Sequence, residues 1–259
     1  MEKGVLIMEK KKPYGTVLIK AADILDFLSN HPDSILQEIT EGTKMTPSTT
    51  LKILDTLVLI GYVNRKQDKS YRLGSKLIRY ANQNLEQLDL VEITQPYLEK
   101  LQEQIDETIH LGILANQEIL YVNKLEPKNQ TIRMSSKIGI TRPLYNSAMG
   151  KAVLAELSRE EIDAYLQEHE LIAYTEETIT NPLKLKKELA IVQQEKVAFD
   201  DEEVEKDIFC IGTAIVSENK VVGAFSISMP KYRMNNDLKE RIIHEILSVK
   251  NSVENKLNH

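Results

Sequence analysis

The sequence predicts an α+β protein in two parts: an N-terminal winged helix-turn-helix, and a C-terminal antiparallel sheet with helices packed on it. Three observations carry this reading. Residues 16–61 hold three helix-period segments, followed by a short polar hairpin at 62–74. Beyond residue 107, strand-like runs come first, then helices, then strands again. Charge also divides unevenly, with 11 Lys/Arg against 9 Asp/Glu in residues 1–75 and a net negative remainder.

The elements of the first part follow from local rules. "TVLIKAADILDFLSN" (16–30) sets Leu18, Ala21, Ala22, Leu25 and Leu28 at helical spacing. "SILQEITEGTK" (34–44) has Ser34 as its cap and Gly42 in the turn that follows. "TPSTTLKILDTLVLIGYV" (46–63) is the most informative stretch. Thr46 caps a helix, and Pro47 takes the first position, where a missing N–H costs nothing. Leu51, Leu54, Leu57 and Val58 make an apolar stripe, and Gly61 ends the helix by accepting a left-handed backbone. "YVNRKQDKSYRLG" (62–74) is then two short strands about a turn at Gln67–Lys69.

Such a helix pair with a wing places its second helix in the DNA major groove, with the wing on phosphates. Thr46, Pro47, Ser48, Thr49, Thr50 and Lys52 are the candidate groove contacts, and Arg65, Lys66, Lys69 and Arg72 the wing contacts. A winged helix that binds only protein is the alternative. "EKKKP" (9–13) is either a phosphate-contacting arm or a solubilising tail.

The segment 74–107 reads as two helices, with Pro96 starting or kinking the second. The first carries Leu77, Ile78, Ala81, Leu85 and Leu88 in a stripe and serves as a linker or a dimer face. The expected divisions are 1–74 for DNA binding, 75–90 for the linker helix and 91–259 for the sensor. In the sensor, 108–126 is a hairpin turning at Asn116–Gln117, and "QTIRMSS" (130–136) is a third strand. Helices follow at 147–157, 159–169 and 182–194. A hairpin at 209–230 turns at Glu218–Asn219, and a last helix at 236–257 aligns Leu238, Ile242, Ile246, Val249 and Val253.

Composition sets bounds. The 259 residues suit two domains, and 42% hydrophobic content allows real cores. No stretch approaches the roughly 20 apolar residues of a membrane span. "GVLIM" (4–8) is too short for a secretory core, and a single cysteine fits a reducing cytoplasm without disulfides. The five histidines, at 31, 110, 169, 244 and 259, have no metal-like spacing, so no metal is expected, and no cofactor is expected either.

Four motifs occur in order: "TPSTTLKILDTLVLIGYV", "RPLYNSAMGKAVLAEL" (142–157), "VAFDDEE" (197–203) and "CIGTAIVSENKVVGAFSISMP" (210–230). Together they resemble the isocitrate-lyase-regulator (IclR) family of bacterial transcription factors over roughly 14–257, and within it the ketodeoxygluconate-regulator type. The resemblance implies a winged helix-turn-helix, a linker helix and a GAF/PAS-like effector domain. It further implies a homodimer or tetramer on double-stranded operator DNA, repressing a catabolic operon and answering to a small organic acid, such as a 2-keto acid or sugar acid. The match is imperfect. The recognition helix opens Met45-Thr46-Pro47-Ser48-Thr49-Thr50 where the family usually has Leu-Pro-x-Ser-Thr-Val. Lys52 stands for an Arg, and Val197 for a Gly.

The same resemblance directs attention to a pocket. Asn146 or Ser147 can cap the helix at 147–157, exposing amides near Met149, Gly150 and Lys151 to an anion. Asp200 and Cys210 match family effector contacts. Ser226 and Ser228 alternate with Phe225 and Ile227 and so share one face of a strand. Ile208, Leu144, Leu154 and Met134 are candidate apolar walls. A cysteine-dependent enzyme at Cys210 is the competing reading, but it lacks a nearby base in the sequence.

Overall fold

The computed structural model describes residues 14–80, 89–131 and 134–258. The basic run at 9–13 and the linker-stripe residues Ala81, Leu85 and Leu88 lie outside them. The chain forms two compact units, Met1–Gln87 and Leu88–His259, dividing inside the segment expected to link them.

In the first unit, α1 (Thr16–Asn30), α2 (Leu36–Thr43) and α3 (Pro47–Leu59) precede an antiparallel hairpin of β1 (Val63–Arg65) and β2 (Tyr71–Leu73). Ile24, Leu28, Ile39, Ile53, Leu54, Leu57, Val63 and Tyr71 form its core. The buried side of α1 is rotated from the expected stripe. Ile24 and Leu28 are inside, while Ala22 is exposed and Leu18 is 73% exposed.

Two expected roles around α2 fall to other residues. Ser34 does not cap the helix. Its hydroxyl donates to the His31 carbonyl at 2.8 Å, and its carbonyl accepts from Tyr71 N–H at 2.8 Å, which ties α2's start to the wing. Glu38 caps instead, accepting from Ile35 N–H at 2.9 Å. Gly42 lies within α2, where a Cβ would stand 2.1 Å from the Phe27 ring. The left-handed turn residue is Lys44.

The second unit opens with α4 (Asp89–Ile105), which contains Pro96. A six-stranded antiparallel sheet follows, built from β3 (Thr108–Ala115), β4 (Glu118–Leu125), β5 (Thr141–Pro143), β6 (Ala198–Asp201), β7 (Ile208–Ser217) and β8 (Lys220–Pro230). The order is β5-β4-β3-β8-β7-β6, so β5 and β6 are the edges. Both hairpin turns fall as expected, with positive φ at Asn116, Gln117, Glu218 and Asn219. The strand expected at 130–136 does not form among the described residues, and the edge strand is Thr141–Pro143. Carbonyls of Met134 and Ser136 accept from Lys124 Nζ at 2.8 and 2.7 Å rather than from a strand.

Strand alternation divides the sheet's side chains. Phe209, Ile211, Phe225 and Ile227 face α4 and the C-terminal helix α8 (Asn236–Leu257). On α8, Lys250 is buried next to the intermediate Val249 and donates to the Ala214 carbonyl at 2.7 Å. The opposite face carries Asp200, Cys210, Gly212, Ser226, Ser228 and His110. There α5 (Ala148–Glu156) packs, and α7 (Pro182–Glu195) packs on α5, with α6 (Arg159–Glu168) between them in sequence. The first turn of α5 presses on Gly212, where a Cβ would stand 2.9 Å from Met149 N.

Candidate DNA interface and effector cavity

The α3 helix begins as its sequence dictates. Thr46 Oγ1 accepts from Thr49 N–H at 3.4 Å, and Pro47 holds the first position. Ser48 and Lys52 are exposed and Thr49 is half-buried. Thr50 does not belong with them. It is fully buried and donates to the Thr46 carbonyl at 3.0 Å, so its hydroxyl serves the helix and not a groove. An open depression of about 660 Å³ lies between α2, the start of α3 and the wing, and it brings Pro47, Arg65 and Lys69 together.

The wing cations are of two kinds. Arg65 is exposed, its guanidinium 5.6 Å from the centre of the Tyr71 ring, and Lys69 is exposed at the turn. Arg72 instead forms a bidentate pair with Asp33, both bonds 2.8 Å, and Lys66 pairs with the same carboxylate at 2.8 Å. These two partners and the charges they carry hold the Asp33 carboxyl far below the ordinary carboxylate range. Lys66 and Arg72 therefore pin the wing to the α1–α2 turn, a role that sequence spacing did not indicate.

In the second unit, register explains the candidate site. Asp200 of β6 stands opposite Cys210 of β7, and Cys210 opposite Ser228 of β8. This row lines a cavity of about 50 Å³, with Ile208 and Val204 beside it. His110, Tyr121 and Arg142 line it from β3, β4 and β5, and residues 134–136 with Glu205 complete the wall. Of the expected pocket residues, Asp200, Ile208, Cys210, Ser228 and Met134 meet here.

Met149, Gly150, Lys151 and Ser226 do not. Ser226 sits one row along, opposite Gly212, under the first turn of α5. Ser147 caps that helix, accepting from Gly150 N–H at 3.1 Å, and Met149 is in the hydrophobic core with Leu144 and Leu154. Asn146 is fully buried, and its amide has no protein partner among the described residues. Gly150 is required by packing, since a Cβ would stand 2.5 Å from Leu144 Cα. Lys151 is fully buried in ion pairs with Glu188 and Glu203. Burial alone would lower its pKa, but the two carboxylates outweigh burial and raise it.

The cavity is electrostatically unusual. Burial pushes the Asp200 carboxyl up to about 7, although its Oδ1 accepts from the N–H groups of Glu203 at 2.8 Å and Val204 at 3.3 Å. Burial also pushes His110 down to about 3, with Lys124 and Arg142 acting the same way, so the ring is neutral. Its Nε2 lies 2.6 Å from Ser136 Oγ and its Nδ1 3.3 Å from Ser228 Oγ. The Cys210 thiol is pushed well above its ordinary range by burial first and then by the neighbouring Asp200. This shift works against thiolate formation, the form a nucleophilic cysteine needs. Sequence reasoning missed Tyr121 and Arg142. Both occupy strands whose register to β6 and β7 is set by long-range pairing, not by local pattern.

Among the described residues there is no cluster of His, Cys, Asp and Glu suited to a metal ion, and no helix is long and apolar enough to cross a membrane.

Comparison with known proteins gives a consistent answer. Residues 82–254 match the family described as bacterial transcriptional regulator IclR C-terminal, and residues 17–67 match the IclR helix-turn-helix domain. An uncharacterized HTH-type transcriptional regulator of Haemophilus influenzae is 34% identical, the match covering 92% of each chain. The acetate operon repressor of Salmonella typhimurium is 30% identical over 85% of this chain and 82% of its own. The crystal structure of the Thermotoga maritima IclR is 33% identical, with a TM-score of 0.74 over 95% of this chain and all of that one. These families are transcriptional regulators and not enzymes, which sets aside the cysteine-enzyme reading. The chain belongs to the IclR family of bacterial transcriptional regulators, with a DNA-binding helix-turn-helix domain ahead of its C-terminal regulatory domain.

Proposed function

We propose that the protein represses a catabolic operon and answers to a small organic acid, a 2-keto acid or sugar acid, held in the Asp200–Cys210–Ser228 cavity. The observation that carries this is the cross-strand row itself: three polar side chains from three strands converge on one half-open cavity beside a neutral histidine. Pockets for small ligands combine enclosure with a few placed polar groups in this way. Asp200, titrating near neutrality, accepts from an effector hydroxyl when ionised and donates to a keto oxygen when protonated.

On the DNA side, Thr46, Pro47, Ser48, Thr49 and Lys52 read the groove, while Arg65 and Lys69 meet phosphates. The DNA-binding part is 1–74, the linker 75–90 and the sensor 91–259. The protein works in the cytoplasm, where a single cysteine stays reduced. A homodimer spans paired half-sites about one DNA turn apart.

A thermal-shift screen of sugar acids and 2-keto acids tests the effector reading, because a ligand of the native state raises the melting temperature. At least one acid is expected to stabilise the wild type and not Asp200→Ala. Equal stabilisation of both proteins by every active acid refutes the assignment.

A further inference from the structure

Arg142 occupies a singular position. It sits on the edge strand β5, while Asp200 sits on the opposite edge strand β6, and the curled sheet brings both to one cavity. Several other buried or half-buried cations of this unit are paired, among them Lys124 with Glu126, Lys151 with Glu188 and Glu203, Lys231 with Asp201 and Glu202, and Arg233 with Glu107, while Lys239 lies over the Phe199 ring. Arg142 is half-buried and, among the described residues, makes no ion pair. Its charge is felt inside the cavity, since it lowers the affinity of both His110 and Tyr121 for their protons. Tyr121 nevertheless stays protonated, because burial raises its pKa, and its phenol is a neutral donor next to that charge.

We propose that Arg142 is the carboxylate anchor of the effector site and fixes the effector's direction, carboxylate toward Arg142 and Tyr121, hydroxyl or keto group toward Asp200, Cys210 and Ser228. This rests on the effector reading above. A guanidinium offers a carboxylate two parallel N–H donors, and among the described residues no other cavity-lining side chain carries a fixed positive charge. Once ionised, Asp200 repels a carboxylate, so that end is better met by the fixed charge of Arg142. The effector is therefore two-headed, an acid group at one end and an uncharged oxygen function at the other. The space of about 50 Å³ favours a short chain between them.

The test uses the full-length protein, with calorimetric titration of glycolate, glycerate, pyruvate and gluconate, and of the primary amide of each. Arg142→Gln should weaken every acid that binds the wild type by roughly ten- to hundredfold, the worth of a hydrogen bond to a charged group. It should leave the corresponding amides unchanged, and Arg142→Lys should restore part of the acid affinity. An unchanged ligand-free melting temperature in Arg142→Gln separates these effects from misfolding. Acid binding that survives Arg142→Gln overturns the assignment and leaves the effector reading standing. So does equal loss of acid and amide, which marks Arg142 as a wall and not an anchor. If none of the compounds binds the wild type, the effector reading fails, and the anchor falls with it.

Discussion

The backbone N–H of Glu203 donates to Oδ1 of Asp200 at 2.8 Å, and the Glu203 side chain pairs with the buried Lys151. One residue therefore joins the cavity to the ion cluster that fastens α5 and α7. Glu203 also accepts from Ile179 N–H at 3.2 Å, and its carbonyl from the Thr178 hydroxyl at 2.6 Å, so the 175–179 loop is part of the same network. A displacement of Asp200 would therefore reach the support of two helices.

Protonation of Asp200 has a measurable signature. Its carboxyl is raised from 3.8 to about 7, so from about pH 4 to about pH 7 the folded protein retains a proton that the unfolded chain has released. Stability then falls as pH rises through that window. Asp200→Asn keeps the accepting oxygen and removes the titration. Its stability relative to wild type should be greater at pH 8 than at pH 5 by about 1–3 kcal/mol, since each tenfold difference in proton affinity is worth about 1.4 kcal/mol. Chemical denaturation at the two pH values reads this, and a pH-independent difference contradicts it.

Lys151 should be costly to remove. Lys151→Met leaves two carboxylates without their cation, one of them the buried Glu203. The expected loss is about 3–5 kcal/mol. Adding Glu203→Gln to that variant should recover part of the loss. Additive destabilisation in denaturant titrations would show that the cluster is not electrostatically coupled.

Asp33 should control how many wing cations reach DNA. Asp33→Asn frees Lys66 and Arg72, and the salt dependence of DNA binding should steepen by up to two phosphate contacts, each worth about 0.9 in the log–log slope. Arg65→Ala should flatten the slope by about one contact. Fluorescence anisotropy on a non-specific duplex from low to moderate salt measures both. An unchanged slope in Asp33→Asn would mean that Lys66 and Arg72 already leave Asp33 when DNA arrives.

The fold was legible wherever structure is local. The Thr46–Pro47 start of α3, its end at Gly61 and the two hairpin turns are written in two to four residues each. The row of Asp200, Cys210 and Ser228 was legible in part, through motifs and the alternation along β8. The rest depends on distant pairing. Arg142 and Tyr121 enter the cavity because β5 and β4 lie across the sheet from β6, which no periodicity reveals. Lys151 follows a helix-capping serine in a motif that suggested an anion site, yet tertiary packing gives it two buried carboxylates instead. Among its described residues the expected strand at 130–136 does not form either, and a lysine from β4 donates to the carbonyls of Met134 and Ser136.

The central claim is that an acid in the Asp200 cavity controls affinity at α3 and the wing. Titrating operator DNA with wild type and Asp200→Ala, each with and without the acid that most raises the wild-type melting temperature, tests it most directly. The wild type should shift its operator affinity by about 5–150-fold, the range of a typical coupling free energy of 1–3 kcal/mol. Asp200→Ala should bind operator like the ligand-free wild type at every acid concentration. A full shift in Asp200→Ala, or none in the wild type, contradicts the account.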